Sequence, residues 1–204
     1  FITKHRKGEP MLKKIKYALI AVFIFTGVMA GAQEKSPVFN MITVNGVITA
    51  PTAKYIAAAI DEAQKENAQG LIILLDTPGG MDTAMRDIAK SILNAPLPVI
   101  VYVSPSGARA ASAGVIITEA AHIAAMAPGT NIGAAHPVAI GLGGSAGEKD
   151  KTMTEKIEND AAAYARSIAK TRGRSEEWVE KAVRKSESIT AEEALKLRVI
   201  DYVA

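Results

Sequence analysis

The fold is decided by residues 70–80, which read GLIILLDTPGG. The five consecutive apolar residues at 71–75 are typical of a strand buried on both faces, as in a parallel sheet. Pro78-Gly79-Gly80 ends this strand, and a helical pattern follows at 81–94. A second apolar run at 97–103 predicts the next strand. This alternation indicates an α/β fold with a largely parallel sheet flanked by helices.

The alternation extends in both directions from this unit. Upstream, Asn45-Gly46 within the alternating stretch 39–49 predicts a small β-hairpin, and the apolar spacing that follows predicts a helix at 51–67. Downstream, small and apolar residues predict a helix at 110–118 and a strand at 122–126. The remaining predicted elements are a Gly-rich charged loop, three helices and a last strand, at 140–150, 152–171, 175–185, 190–197 and 199–203.

The first 32 residues differ in composition from the rest of the chain. They hold six basic side chains and one acidic one, and the basic segment Met11–Lys16 precedes the apolar stretch Tyr17–Ala30. Ala30-Gly31-Ala32 then completes the pattern of a secretory signal peptide. The apolar stretch has 14 residues, whereas a membrane span needs about 20. We therefore expect residues 1–32 to be upstream residues and a signal peptide, and 33–204 to be one exported domain. An uncleaved signal anchor is the alternative.

Charge and cysteine content exclude two classes of function. The whole chain carries 24 basic and 21 acidic residues, but without its first 32 residues its formal charge is −2. A nucleic-acid-binding domain is expected to have a clustered basic face, so we expect no nucleic-acid partner. Two histidines beyond residue 32 and no cysteine give no zinc-binding pattern, so we expect no metal ion.

Two small-residue segments follow predicted strands and are candidates for a catalytic site. Asp76–Gly80 follows the strand at 71–75, a position where ligands commonly bind in open α/β sheets. Its two glycines leave backbone N–H groups able to face a developing oxyanion. Gly107–Gly114 follows the strand at 97–103 and contains Ser112 near a helix start, where the helix dipole favours negative charge. Ser112 is therefore a candidate nucleophile.

A serine nucleophile needs a base, and two residues could provide one. Thr152 and Glu155 match a capping box, which would place Lys156 in the first turn of a helix. There the helix dipole and burial in a cleft would both favour a neutral amine that can accept a proton. His136 is the alternative, because an imidazole titrates near neutral pH without special surroundings. Both bases remain open on these grounds.

The order of these motifs resembles that of a known family. Pro78-Gly79-Gly80 and, one βα unit later, Ala110–Gly114 are similar to motifs of the Clp protease/crotonase superfamily. More specifically, residues 127–137 (APGTNIGAAHP), 156–160 (KIEND) and 190–195 (TAEEAL) resemble the NfeD-type membrane-bound serine proteases. The similarity covers roughly residues 38–204.

The resemblance implies a fold of repeated ββα units and a Ser–Lys dyad, with Ser112 as nucleophile and Lys156 as general base. It implies an oxyanion hole formed by the N–H groups of Gly80 and Ala113, whereas His136 would be the base in a protein closer to the Clp proteases.

The resemblance also implies a partner and a location. We expect a membrane-anchored serine endopeptidase on the extracytoplasmic face that cleaves an apolar segment of a stomatin-like membrane protein without a cofactor. We also expect a homodimer or larger homo-oligomer. The alternatives are a Ser–His Clp-like enzyme, a signal-peptide peptidase, and a non-catalytic scaffold for stomatin-like proteins.

Overall fold

The computed structural model describes residues 37–137 and 148–204. The predicted signal peptide and residues 140–147 of the predicted loop lie outside the described residues. In chain order the elements are β1 (Phe39–Asn45), α1 (Ala50–Lys65), β2 (Gly70–Asp76), α2 (Asp82–Leu93), β3 (Val99–Val103), β4 (Arg109–Ala111), α3 (Ala113–Ala120), β5 (Ile123–Met126), β6 (Asn131–Gly133), α4 (Glu148–Thr171), α5 (Glu176–Arg184), β7 (Ser188–Thr190), α6 (Ala191–Lys196) and β8 (Tyr202–Val203).

The main sheet consists of five parallel strands in the order β1-β2-β3-β5-β8. Its central strands are apolar because helices cover them: Leu71, Ile73 and Leu75 of β2 are fully buried, and so are all three valines of β3. The predicted α/β fold with a largely parallel sheet is therefore confirmed.

A second layer of short extended segments lies at the carboxyl ends of the main strands. Ile48 forms a bridge with Gly80, Thr77 forms one with Ala110, and a three-stranded sheet has the order β4-β6-β7. Each of β1, β2, β3 and β5 is thus followed by a second extended segment and then by a helix. These are the repeated ββα units, and they bring the segments after β2 and β3 side by side.

The predicted hairpin at 39–49 is wrong. Gly46 does turn the chain, with φ +104°, but the strand before it pairs in parallel with β2 over its whole length. After the turn the chain reaches Ile48 and then Thr49, which is the N-cap of α1 and forms a capping box with Thr52. The alternating residues of β1 therefore pair with a strand distant in sequence rather than with their neighbours.

Two predicted helix starts are also wrong. Arg109–Ala111 pair with β6 as β4, so the helix predicted from residue 110 begins at Ala113. Helix α4 begins at Glu148 rather than near Thr152, so the last residues of the predicted loop are helical. Lys156 consequently lies in the third turn of α4. The helix dipole acts mainly within the first turn, so it does not favour a neutral amine there.

Candidate active site

Ser112 lies between β4 and α3 and is the N-cap residue of α3, one position before the first turn in which it was expected. Its φ of +53° is in the left-handed region, which residues with a β-carbon occupy under strain. Its N–H donates to the carbonyl oxygen of Gly133 over 3.0 Å. An N-cap serine commonly accepts a backbone hydrogen bond, but this side chain makes no capping bond. The hydroxyl is therefore not committed to stabilising α3.

The turn Pro78-Gly79-Gly80 packs beside Ser112, and the space around Gly79 and Gly80 has no room for a β-carbon. The Gly79 N–H donates to the hydroxyl of the fully buried Thr77 over 3.0 Å, which holds the turn in place. A β-carbon on Gly79 would lie 2.6 Å from Ser112 Cβ, and one on Gly80 would lie 2.1 Å from the carbonyl oxygen of Ile48. Any side chain here would displace either the serine or the second layer.

Two backbone N–H groups beside Ser112 have no acceptor among the described residues. The bridge between Ile48 and Gly80 uses the N–H groups of Ile48 and Met81 and leaves that of Gly80 unused. Ala113 is the first residue of α3, where amides have no partner within the helix. Gly80 and Ala113 line the same cavity as Ser112. Two residues with unused backbone donors thus border the cavity that Ser112 lines.

This cavity has a volume of about 570 Å³ and extends from Ser112 to α4. Lys156 of α4 lines it too, but the residue is exposed, so the burial that was expected of it is wrong for the domain alone. Much of the cavity wall is apolar. The larger apolar residues that line it are Met81, Met85, Ile116, Ile157, Pro137 and Val183. The cavity is therefore largely apolar, and a serine and a lysine lie along it.

Charged groups line another part of the same cavity. Arg86 of α2 donates from Nε to Asp82 Oδ2 over 2.9 Å and from Nη2 to Asp160 Oδ2 of α4. Its guanidinium carbon lies 4.3 Å from the centre of the Tyr164 ring. Burial opposes the charge of Arg86, but the hydrogen bonds and negative charges of Asp82 and Asp160 outweigh it and raise the pKa of Arg86. Arg86 thereby joins α2 to α4 across the cavity.

His136 is half-buried and is not among the described residues that line the cavity. Its Nδ1 lies 3.0 Å from the carbonyl oxygen of Val183 in α5. A carbonyl oxygen only accepts, so Nδ1 carries the proton and donates it. The preceding Ala135 N–H donates to the carbonyl oxygen of Ala182 over 2.9 Å. The imidazole thus attaches its segment to α5. Within the described ranges, no three carboxylate or histidine side chains are grouped to hold a metal ion.

The sequence pointed to Ser112, Gly80 and Lys156 but not to Arg86 or Asp160. The spacing of four residues between Asp82 and Arg86 at the start of α2 was a usable signal for an ion pair on a helix. The contact between Arg86 and Asp160 joins residues 74 positions apart and has no local signal.

Comparison with known proteins places the chain in a family. The family model for the N-terminal domain of NfeD1b matches residues 38–203. The chain belongs to this family. The resemblance to NfeD-type proteins is therefore confirmed. No helix in the described part of this NfeD1b-type domain is both long enough and apolar enough to cross a membrane.

The curated relatives are longer than this chain. The membrane-bound protease PH1510 of Pyrococcus horikoshii is 40% identical over 186 residues, which are 91% of this chain and 40% of that protein. The membrane protein NfeD1b of Bacillus subtilis is 29% identical over 153 residues, which are 74% of this chain and 34% of that protein. The NfeD1b-type domain therefore spans two fifths or less of the curated relatives it matches.

Solved structures of similar proteins share the fold. A serine-to-alanine mutant of the 1510-N membrane-bound stomatin-specific protease is 40% identical, covers 83% of this chain and 81% of its own, and has a TM-score of 0.76. A lysine-to-alanine mutant of 1510-N in complex with a substrate peptide is also 40% identical, covers 83% of this chain and 76% of its own, and has a TM-score of 0.75.

Proposed function

We propose that this domain is the protease domain of a membrane-associated serine endopeptidase that cleaves an apolar segment of a stomatin-like protein. Ser112 is the nucleophile, Lys156 is the general base, and the N–H groups of Gly80 and Ala113 form the oxyanion hole. The observation that carries the proposal is that all four residues line one cavity, with the Ser112 hydroxyl outside any capping bond.

The relatives support the proposal. PH1510 is named a membrane-bound protease, and 1510-N is described as specific for a stomatin. Structures of 1510-N with a serine or a lysine changed to alanine, the latter with a substrate peptide bound, fit an enzyme that uses both residue types. The family's Clp protease/crotonase ancestry is likewise proposed, on the repeated ββα units and the Pro78-Gly79-Gly80 turn.

The proposed reaction has two stages. In the first, neutral Lys156 accepts the Ser112 hydroxyl proton, and the oxygen attacks the substrate carbonyl carbon. The N–H groups of Gly80 and Ala113 stabilise the oxyanion, and the C–N bond breaks as Lys156 returns the proton to the leaving nitrogen. In the second, Lys156 accepts a proton from water, whose oxygen attacks the acyl carbon. The bond from that carbon to the Ser112 oxygen breaks as Lys156 returns the proton to this oxygen, and the carboxylic acid product loses its own proton to solvent.

An apolar substrate would also help the base. Lys156 is exposed to water in the domain alone. A peptide segment laid along Ile116 and Ile157 would remove water from that side of the cavity and favour the neutral amine. The preference for apolar segments and the action of a lysine base are therefore linked.

We further propose the location and assembly expected from the sequence. Residues 1–32 would direct export, and residues 33–204 would act at the extracytoplasmic face of the membrane as a homodimer or larger homo-oligomer. Detergent-solubilised protein, examined by size-exclusion chromatography with light scattering, would test the assembly. A reporter fused after residue 204 would test the side of the membrane.

The nucleophile is tested by peptide cleavage. The purified domain is incubated with peptides that contain apolar cores, including the apolar C-terminal segment of a stomatin-like protein, and the products are identified by mass spectrometry. Ser112→Ala should abolish cleavage and leave thermal unfolding unchanged, whereas Ser106→Ala, at an exposed serine on the nearby turn, should retain activity. Cleavage by the Ser112→Ala protein would contradict the nucleophile assignment, and an inactive wild-type domain that still binds stomatin-like proteins would favour the scaffold.

The base is tested separately. Lys156→Ala should lower kcat about 10²- to 10⁴-fold, because a positioned general base contributes that much. Lys170→Ala is the control, since Lys170 is an exposed lysine of the same helix and is not among the described cavity residues. Equal effects of the two substitutions would show that Lys156 is not the base.

A further inference from the structure

Lys156, Asp160 and Tyr164 are spaced four residues apart along α4, and all three line the cavity that contains Ser112. Residues at this spacing lie on one face of a helix. A carboxylate one turn from a lysine is placed to form an ion pair with it, and such a pair holds the proton on the amine. An ion pair with Asp160 would therefore oppose the deprotonation that Lys156 needs in order to act as a base.

Arg86 forms an ion pair with the Asp160 carboxylate. Its Nη2 donates to Asp160 Oδ2 while its Nε stays bonded to Asp82 on its own helix at 2.9 Å. The guanidinium also stacks on Tyr164, with 4.3 Å from its carbon to the ring centre. In the described part of the chain, Lys156 forms no ion pair with any carboxylate.

We propose that Arg86 is a positioning residue that holds the Asp160 carboxylate away from Lys156 and so keeps the amine available as the base. The inference rests on the proposed Ser–Lys dyad. It assigns to Arg86 an electrostatic effect on Lys156 in addition to the mechanical link between α2 and α4.

The other charged groups around Lys156 are already engaged or distant. On α5, which packs against α4, Glu180 and Arg184 bond to each other, and Arg184 also bonds to Glu158 of α4 at 3.2 Å. On α3 the one charged residue is Glu119, next to the C-terminal residue of that helix. His136 faces the Val183 carbonyl. Among the described residues of α4 itself, Glu155 precedes Lys156 and Asp160 follows it by four positions. Two described carboxylates line the cavity, Asp160 of α4 and Asp82 of α2, and Arg86 bonds to both.

The test is the pH dependence of kcat/KM for peptide cleavage. Arg86→Met frees Asp160, and with it Asp82 of α2, so the alkaline rise in activity should move to higher pH. Activity on that rise should fall about two- to fivefold, as for an exposed ion pair, and the plateau at high pH should approach that of the wild type. Arg166→Met is the matched control, because Arg166 also forms an ion pair, with Glu180, and has nearly the same exposure, 34% against 32% for Arg86. The control should leave the pH profile unmoved.

A double variant separates electrostatics from structure. Asp160→Asn removes the freed charge that lies one turn from Lys156, so Arg86→Met combined with Asp160→Asn should return most of the rise towards its wild-type position. If Arg86 only held the helices together, the double variant would be at least as impaired as Arg86→Met at every pH. That result, or an unmoved profile in Arg86→Met, would overturn the proposal. Arg86→Gln, which keeps a hydrogen-bond donor without the charge, replaces Arg86→Met if that protein does not fold, and it should show the same shift.

A second measurement does not depend on cleavage. The titration of the Lys156 side chain is followed by NMR in the Ser112→Ala protein. The Lys156 signal is assigned as the one that is lost when Lys156→Ala is added. Arg86→Met should move this titration to higher pH, and an unmoved titration would overturn the coupling between Arg86 and Lys156. If Ser112→Ala still cleaves peptides while the titration moves, the dyad is wrong and the coupling stands. The two failures are thus distinguishable.

Discussion

The two ends of helix α3 differ in how their backbone groups are satisfied. At the N-terminal end the Ser112 side chain makes no capping bond, and the Ala113 N–H has no acceptor among the described residues. At the C-terminal end the guanidinium of Arg174, with 3% of its side chain exposed, donates from Nη1 to three carbonyl oxygens, those of Thr118, Glu119 and Ala121, at 3.3, 2.7 and 3.0 Å. One end is closed by protein groups, and the other offers donors to a ligand.

The helix is buried along its whole length, so at its C-terminal end protein groups must take the place of water, whereas its N-terminal end lines the cavity. Arg174 completes the C-terminal end and is itself held by Asp201 at 2.7 Å, whose carboxylate also accepts from the Ala124 N–H. The contrast separates two tasks. Substitutions at the C-terminal end should affect stability, and substitutions at the N-terminal end should affect activity.

The largest effect is expected from breaking the closed end. Arg174→Met removes a buried cation from three carbonyl groups and Asp201, so the free energy of unfolding should fall by about 3–5 kcal/mol. Arg172→Met is the control, because Arg172 is half-buried and donates to one carbonyl oxygen, that of Ala120, at 2.8 Å. It should lower the free energy by about 1–2 kcal/mol. Urea unfolding followed by Trp178 fluorescence measures both, and equal losses would contradict the special role of Arg174.

The next effect concerns Glu119, which is fully buried beside the same end. Neither of its carboxylate oxygens has a hydrogen-bond partner among the described residues. Burial raises the pKa of Glu119 to about 8, although the guanidinium of Arg174 opposes the rise. The folded protein therefore keeps the proton up to about pH 8, whereas the unfolded chain releases it near pH 4.5. Because the folded state binds more protons in this window, stability should fall as the pH rises through it.

Glu119→Gln removes this pH dependence. The difference in unfolding free energy between Glu119→Gln and the wild type should grow by about 2–4 kcal/mol between pH 4 and pH 8, in favour of the variant. The change with pH is the test, because a buried glutamine amide also lacks partners and adds a constant offset. Glu62→Gln, at an exposed glutamate of α1, should show a nearly constant difference from the wild type. A constant difference for Glu119→Gln would mean that Glu119 is ionised in the folded protein at neutral pH.

A substitution at the open end should affect activity instead. The β-carbon of Gly79→Ala would lie 2.6 Å from Ser112 Cβ and 3.0 Å from its hydroxyl oxygen, so the nucleophile must move. A misplaced nucleophile should lower kcat/KM about 10²-fold, or about 2.7 kcal/mol in the barrier. Gly107→Ala is the control, since Gly107 also has a positive φ, +91°, but no atom within 4 Å of an added β-carbon. It should share the backbone strain and keep its activity. Equal losses of activity would show that strain, and not the contact with Ser112, is responsible.

Local sequence patterns predicted the elements that form through their own residues. The apolar runs of β2 and β3 and the periodic residues of α1, α2 and α5 were found where expected. The hairpin at 39–49 and the start of the helix at 110–118 were wrong because β1 and β4 are set by pairing with β2 and β6, which are distant in sequence. An alternating or small-residue stretch does not indicate which strand it will pair with.

The site divides in the same way. Ser112 and Pro78-Gly79-Gly80 could be found because small residues at the ends of buried strands are a local signal. The contact of Arg86 with Asp160 and the burial of Glu119 could not, because a charged residue in a helix is usually solvated and only the packing of distant segments shows otherwise. Contacts between distant segments are thus less visible in a sequence than small-residue turns at the ends of strands.

The smallest effect is expected from His136→Ala. The imidazole donates from Nδ1 to the Val183 carbonyl oxygen at 3.0 Å, so its loss should lower the free energy of unfolding by about 1 kcal/mol. Activity should change little, because His136 is not among the described residues that line the cavity with Ser112. His136→Gln keeps a donor for Val183 and should recover most of the stability, which a urea titration of both variants would show.

The same substitution also tests the alternative base. Histidine ordinarily titrates at about pH 6.5. If His136→Ala is inactive while Lys156→Ala still cleaves peptides, with a rise in activity at about that pH, the base is His136. The proposed mechanism would then move from the NfeD-type dyad towards that of the Clp proteases, and Arg86→Met should no longer shift the pH profile.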